Sequence, residues 1–147
     1  MRHDAGGFTL VELVTVIVIL GILAAVAMPR MDTSIYRMLE FHDKTVAALR
    51  FAQKTATSHR RLVCVTFPSV STVQLTIDKD KDGVCDTALS IPGAAGNQVI
   101  SSDPVSTAFN PLPATLSFAA DGTTANRNLV FKDATIITIV GATGYVQ

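Results

Sequence analysis

The feature that most constrains this chain is a long apolar stretch near its N-terminus that contains one acidic residue. Residues 8–28 form a run of 21 positions, which only Thr9, Glu12, Thr15 and Gly21 interrupt. As a helix, this run would be about 31 Å long, close to the thickness of a bilayer core. Placing an ionised glutamate inside such a segment costs about 2.5–3.5 kcal/mol of insertion free energy. A residue of this kind therefore usually belongs to a functional site, where another group pairs with its charge.

Two general interpretations compete for this stretch. A secretory signal peptide has a basic start, a shorter apolar core and a small-residue exit, which residues 25–27 (Ala-Val-Ala) would supply. However, the apolar run is too long, the residues before it are weakly basic, and Glu12 is misplaced for a signal peptide. A simple membrane anchor fits the length but leaves the Gly7-Phe8 pair and Glu12 unexplained.

The segment Gly7-Phe8-Thr9-Leu10-Val11-Glu12, followed by the apolar run and Pro29, resembles the N-terminus of type IV prepilins and type II secretion pseudopilins. The resemblance implies that a prepilin peptidase cuts after Gly7 and methylates the new N-terminal Phe8. It also implies that Glu12 meets the free amine of Phe8, on its own or a neighbouring subunit, and so sets the register of assembly.

The same resemblance predicts three parts of the chain. Residues 1–7 would be the leader peptide, residues 8–29 a transmembrane and assembly helix, and residues 30–147 a periplasmic α+β domain. The protein would lie in the inner membrane with a single span before it enters a pilus or pseudopilus.

The helical pattern continues beyond Pro29. Apolar residues follow at three- and four-residue steps, which indicates one face of an amphipathic helix: Ile35, Met38, Leu39, Val46, Leu49, Ala52 and Ala56. Because the periodicity resumes directly after Pro29, that proline should bend the helix rather than end it. The sequence therefore predicts one long bent helix over about residues 8–58.

After residue 61 the pattern changes to short β-branched segments separated by turn residues. The predicted strands are residues 62–67, 73–77, 98–101, 115–119, 128–131 and 135–140, with Asp121-Gly122 and Lys132-Asp133 as turns between the last three. A long helix before antiparallel strands predicts an α+β fold, in which the helix packs on an antiparallel sheet. This arrangement also matches the pilin fold that the N-terminus implies. Residues 47–63 and 116–122 resemble the H-type group of pseudopilins and minor pilins.

The two cysteines, Cys64 and Cys85, both follow the apolar run. In an oxidising compartment a disulfide between them is the default expectation, and two unpaired thiols are the alternative. Two cysteines cannot form a four-thiolate zinc site, and no histidine neighbours them.

Residues 78–83, Asp-Lys-Asp-Lys-Asp-Gly, match the first half of a calcium-binding loop of the Asp-x-Asp-x-Asp-Gly type. Asp78, Asp80 and Asp82 would be ligands, and Asp86 could add a water-mediated one. The twelfth position is Leu89 rather than glutamate, and strands flank the loop, so an EF-hand is excluded. A calcium site outside that class and a solvated acidic turn remain as alternatives.

Charge and the remaining motifs restrict the function. The formal net charge is zero, whereas dedicated nucleic-acid-binding proteins normally carry a basic excess. Some H-type minor pilins bind DNA through a basic C-terminal motif, but residues 141–147 contain no arginine or lysine. The cluster His59-Arg60-Arg61 is expected to complement a helix C-terminus. No catalytic constellation can be assembled from the sequence.

The sequence therefore predicts a structural, non-enzymatic minor subunit of a type IV pilus or type II secretion pseudopilus. Its expected partners are the other pilin or pseudopilin subunits, the prepilin peptidase and the inner-membrane assembly platform. The alternatives are a DNA-binding uptake pilin, which the neutral tail disfavours, and an anchored periplasmic domain that does not polymerise.

Overall fold

The computed structural model describes residues 7–27 and 33–147, which fall into two compact units divided after Asp32. The first unit contains helix α1, Leu10–Ala27, of 18 residues. The second contains helix α2, Thr33–His59, of 27 residues, followed by eight strands. The bend predicted at Pro29 lies outside the described residues. The predicted helical end near residue 58 agrees with the observed end of α2 to within one residue.

The strands of the second unit are short and pair antiparallel throughout. Their bounds are β1 Val63–Ser69, β2 Thr72–Ile77, β3 Thr87–Ala88, β4 Gln98–Ile100, β5 Leu116–Phe118, β6 Arg127–Val130, β7 Ile136–Val140 and β8 Tyr145–Val146. A five-stranded sheet has the order β3-β2-β1-β5, with β4 pairing β2 beside β3, and a three-stranded sheet has the order β6-β7-β8. The α+β fold class and its helix packed on antiparallel strands are confirmed.

The strands form two separate sheets, a division that the sequence pattern does not show. Asp121-Gly122 is a turn, but it does not close a hairpin, because β5 pairs β1 and β6 pairs β7 in the other sheet. The connection between the first two predicted strands, residues 62–67 and 73–77, is also shorter than expected. Strand β1 continues through Pro68 to Ser69, and a register shift between Thr66 and Ser69 accommodates the proline. Bulges are among the few sheet positions that tolerate proline, which explains this extension.

The core lies between α2 and the two sheets. Helix α2 buries one face, and that face consists of Phe41, Thr45, Ala48, Leu49, Ala52, Thr55 and Ala56. Phe41 contacts Phe109 and Phe131, with ring centroids 5.5 and 5.9 Å apart, and Phe67 joins Phe109 at 5.4 Å. Phe109 comes from the long loop between β4 and β5, so this aromatic cluster fastens that loop to the helix.

The first turns of α2 depart from the predicted apolar face. Ile35 and Leu39 were expected to pack on the sheet, but their side chains are 55% and 51% exposed. The buried face begins only at Phe41, which is 2% exposed.

Candidate assembly and ligand sites

The start of helix α1 places Glu12, the predicted assembly residue, against Thr9. The Glu12 N–H donates to Thr9 Oγ1 at 3.3 Å, and the Thr9 N–H donates to Glu12 Oε2 at 3.4 Å. The Thr9 hydroxyl also donates to Glu12 Oε2 at 3.3 Å. This reciprocal arrangement is a capping box, which satisfies backbone N–H groups that a helix N-terminus leaves without partners. The Thr-x-x-Glu signature of a capping box is visible in the sequence. It was missed because Glu12 was interpreted only as an assembly residue.

The predicted cleavage site lies immediately before this cap. Gly7, Phe8 and Thr9 have no regular secondary structure, and the Phe8 side chain is 81% exposed. A Cβ atom added to Gly7 would meet nothing within 4 Å. The packing of the described chain therefore does not require glycine at position 7.

Within residues 7–27 and 33–147, no helix meets the combined length and apolarity needed to cross a membrane. The end of the predicted 8–29 segment lies outside these residues.

The two cysteines are joined in a disulfide. Cys64 lies on β1 and Cys85 lies just before β3, with Cα atoms 6.0 Å apart, a common separation for disulfides. The bond fastens the end of the acidic loop, residues 78–86, to the centre of the five-stranded sheet. The predicted pairing is therefore present in the structure.

Three carboxylates of the acidic loop converge as predicted. A carboxylate oxygen of Asp78, one of Asp80 and one of Asp82 all lie within 4.8 Å of one another. Asp86 is not part of this group, and its carboxylate instead accepts a hydrogen bond from the Thr87 hydroxyl at 3.0 Å. Oxygen donors at this spacing suit a hard cation such as calcium.

The acidic loop is also closed by its own hydrogen bonds. Asp78 is only 4% exposed, and its two oxygens accept the N–H groups of Lys81 and Gly83 at 2.6 and 2.9 Å. Burial alone raises the pKa of Asp78, but the hydrogen bonds from the backbone of Gly83, Lys81 and Asp82 outweigh it, so the net pKa lies below its ordinary value. The Arg61 guanidinium donates to the Lys79 carbonyl and holds the outer part of the loop.

Arg61 belongs to the basic cluster His59-Arg60-Arg61 that follows α2. Its bond to the acidic loop gives one of the three residues a structural role within this domain. The cluster was expected only to complement the end of the helix.

The C-terminal segment is packed against α2. Arg50 donates from Nε and Nη2 to the Val146 carbonyl at 3.2 and 3.1 Å, and Gln53 donates to the Thr143 carbonyl at 2.6 Å. Gly144 has a positive φ of 64°, and a Cβ atom there would lie 2.1 Å from the carbonyl oxygen of Gly122. The sequence did not predict β8 or this attachment, because a two-residue strand carries no periodic signal.

The comparisons with known proteins agree with this geometry. Residues 2–28 match the family described as the prokaryotic N-terminal methylation motif. The chain is similar to two crystal structures of the type IV minor pilin FimU from Pseudomonas aeruginosa strain PAO1, solved in space groups P21 and P65. The first has a TM-score of 0.54 at 16% identity, over 78% of this chain and 90% of that chain. The second has a TM-score of 0.53 at 15% identity, over 74% and 90%. No curated protein sequence matches the chain significantly.

Together, the motif and the fold confirm the resemblance to type IV pilins that the first thirty residues indicate. The chain carries the methylation motif at its N-terminus and the pilin fold of FimU.

Proposed function

Because the chain joins an N-terminal methylation motif to a pilin fold, we propose that it is a structural subunit of a type IV pilus or a type II secretion pseudopilus. A prepilin peptidase cuts it after Gly7 and methylates Phe8, and it then assembles with other pilin subunits at an inner-membrane platform. Residues 30–147 form the periplasmic domain, and the protein performs no catalysis. The observation that carries the proposal is the match of residues 2–28, which include helix α1, to the methylation motif.

The surroundings of Gly7 support processing at this position. The described structure leaves open space where a side chain at Gly7 would lie, and its φ is not positive. A requirement for a small residue at this position would therefore come from an enzyme that reads the segment and not from the fold. Phe8, the residue to be methylated, is exposed beside it.

The composition of α1 supports a role in which another molecule covers it. All side chains from Leu10 to Ala25 are exposed in the single chain, although the helix is apolar on every side. A helix of this kind is normally covered by lipid or by other helices. We propose that lipid covers α1 before assembly and that neighbouring α1 helices cover it afterwards.

The C-terminal segment supports the structural role over DNA uptake. Two of its backbone carbonyls accept hydrogen bonds from Arg50 and Gln53, so it is part of the domain's own packing. It contains no arginine or lysine to contact phosphates. A gel-shift assay with duplex DNA should show no binding at physiological salt, and binding that weakens with salt would favour the uptake alternative.

The test of the proposal is the N-terminus and location of the mature chain. We expect intact-mass analysis of membrane-extracted protein to show a chain that begins at methylated Phe8, and sheared filaments to contain it. Gly7→Val should block cleavage without lowering the thermal stability of the domain, because residue 7 has no packing role in the described chain. An unprocessed or differently cut wild-type chain, or its absence from filaments, would contradict the proposal.

A further inference from the structure

Strand β4 has an unpaired edge. It pairs β2 on one side, and the Ser101 N–H, at the end of β4, donates to the Ser71 carbonyl at 3.0 Å. Backbone groups alternate in direction along an antiparallel strand, so the N–H and C=O groups of Gln98 and Ile100 point away from β2. Within the described chain, no backbone hydrogen bond engages these four groups. The Ile100 side chain is 61% exposed beside them.

A groove runs along this edge between α2 and the loop at residues 91–95. It consists of three adjoining cavities of about 140, 220 and 80 Å³, and Lys44 lines all three. The 140 Å³ cavity is lined mainly by apolar side chains, among them Ala47, Phe51, Ile91 and Val99. The 220 Å³ cavity is lined by all three residues of β4. We call this feature the β4 groove.

We propose that the β4 groove binds one extended segment of another protein, which adds to the sheet as a strand beside β4. An unpaired strand edge selects an extended backbone, because its N–H and C=O groups are satisfied by the complementary groups of a second strand. Gln98 and Ile100 together offer up to four such hydrogen bonds. This inference goes beyond the proposed function and stands on the domain formed by residues 33–147 alone.

The shape of the groove selects a flexible segment over a second copy of this chain. The strand edges of a folded copy belong to sheets packed against its own helix, whereas the β4 groove is bounded by α2 on one side and by the 91–95 loop at one end. A single strand fits into such a space and can present alternate side chains to it. Every second residue of the segment would face the apolar cavity and should be aliphatic.

Charges at the far end of the groove add a preference. Arg37, Glu40 and Lys44 line the 80 Å³ cavity, and together they carry a net charge of +1. Lys44 is bonded to Glu40 at 2.6 Å, and Arg37 pairs with Asp103 at 4.0 Å, so each of these cations is balanced by a carboxylate. A segment without a charged residue at that end is therefore complementary to the groove.

The test uses the full chain in cells that assemble it. The photo-crosslinking amino acid p-benzoylphenylalanine is placed at Gln98 or at Ile100, and as a control at Val84, which is 57% exposed and away from β4. We expect positions 98 and 100 to crosslink to residues two apart in one segment of another protein, identified by mass spectrometry. A yield at both positions no higher than at Val84, or crosslinks to a second copy of this chain, would overturn the proposal.

Two variants that should block the groove, Ile100→Pro and Ala47→Gln, and a matched control, Ile100→Thr, test whether the crosslink at Gln98 depends on strand addition. Ile100→Pro removes one outward N–H, which an edge strand tolerates, while Ile100→Thr keeps the N–H and the branched Cβ. Ala47→Gln places a longer side chain in the cavity from an exposed position of α2.

Ile100→Pro should lower the crosslink yield up to about tenfold, the loss expected when one backbone hydrogen bond to the added strand is removed. Ala47→Gln should also lower the yield, because its longer side chain occupies space that the segment would fill, and Ile100→Thr should retain it. If Ile100→Pro lowers the thermal midpoint of the domain, Ala47→Gln decides the test. Unchanged yield in Ala47→Gln, or equal loss in Ile100→Thr, would refute strand addition.

Discussion

Glu12 has two candidate roles, as a helix cap and as the partner of a neighbour's Phe8 ammonium, and three substitutions separate them. Glu12→Gln keeps the capping box, because glutamine accepts the same hydrogen bonds, but it removes the negative charge. Thr9→Val removes the cap and keeps the charge. Glu12→Ala removes both, and it should leave membrane insertion and cleavage after Gly7 intact.

The expected magnitudes differ enough to be distinguished. The reciprocal bonds between Thr9 and Glu12 are 3.3–3.4 Å long, beyond the usual range for strong hydrogen bonds. The cap should therefore contribute about 0.5–1 kcal/mol, which changes an equilibrium about two- to fivefold. Removing one partner of a buried ion pair costs about 3–5 kcal/mol, on the order of a hundredfold or more.

The assay is immunoblotting of sheared filaments and membrane fractions for each variant beside the wild type. We expect Glu12→Gln and Glu12→Ala to be nearly absent from filaments and equally abundant in membranes, while Thr9→Val loses at most about fivefold. Cleavage of every variant is checked by mass, so that a processing defect is not mistaken for an assembly defect. Normal filament content of Glu12→Gln would refute the ion-pair role and leave Glu12 as a helix cap.

Four further predictions concern the domain formed by residues 33–147. Cys64→Ser should lower the free energy of unfolding by about 3 kcal/mol, because the Cys64–Cys85 bond closes a loop with a sequence separation of 21, and equal melting of oxidised and reduced wild type would contradict this. The pKa of Asp78 lies below its ordinary value, so the carboxylate stabilises the fold above about pH 4 and loses that effect as the pH falls through the lowered pKa. Asp78→Asn should therefore melt lower at neutral pH, with a difference that narrows in acid, and a constant difference would count against the assignment. If the acidic loop holds calcium, millimolar calcium should raise the melting midpoint over that in chelator, whereas equal midpoints would leave only the solvated turn. Gly144→Ala should destabilise more than Gly96→Ala, because both have positive φ but only Gly144 faces a backbone oxygen at 2.1 Å, and equal effects would exclude the steric clash.

The elements that the sequence predicts well are those long enough to show a period. Helix α2 ends within one residue of the prediction, and six of the eight strands overlap predicted segments. Strands β3 and β8 have two residues each, so no alternation of apolar and polar residues can reveal them. Their pairing depends on contacts distant in sequence, such as that of Arg50 with Val146.

The acidic loop shows the limit of motif spacing. The spacing of Asp78, Asp80 and Asp82 correctly predicted that their carboxylates meet. It could not predict that Asp78 is buried and bonded to the backbone of its own loop, because burial depends on the neighbouring strands. Nor could it predict that Arg61, interpreted as part of a basic cluster that complements the end of the helix, binds the Lys79 carbonyl.

The first turns of α2 show why apolar periodicity alone does not identify the partner of a face. Ile35 and Leu39 continue the apolar spacing of the helix, yet they are more than half exposed, whereas Phe41 is fully covered by Phe109 and Phe131. The spacing of apolar residues shows that one face of the helix is apolar. Which part of that face the domain itself buries depends on the position of the aromatic cluster. Residues of this face that the domain leaves uncovered are available to another chain. Under the proposed function, the exposed apolar residues at the start of α2 are therefore those expected to contact neighbouring subunits.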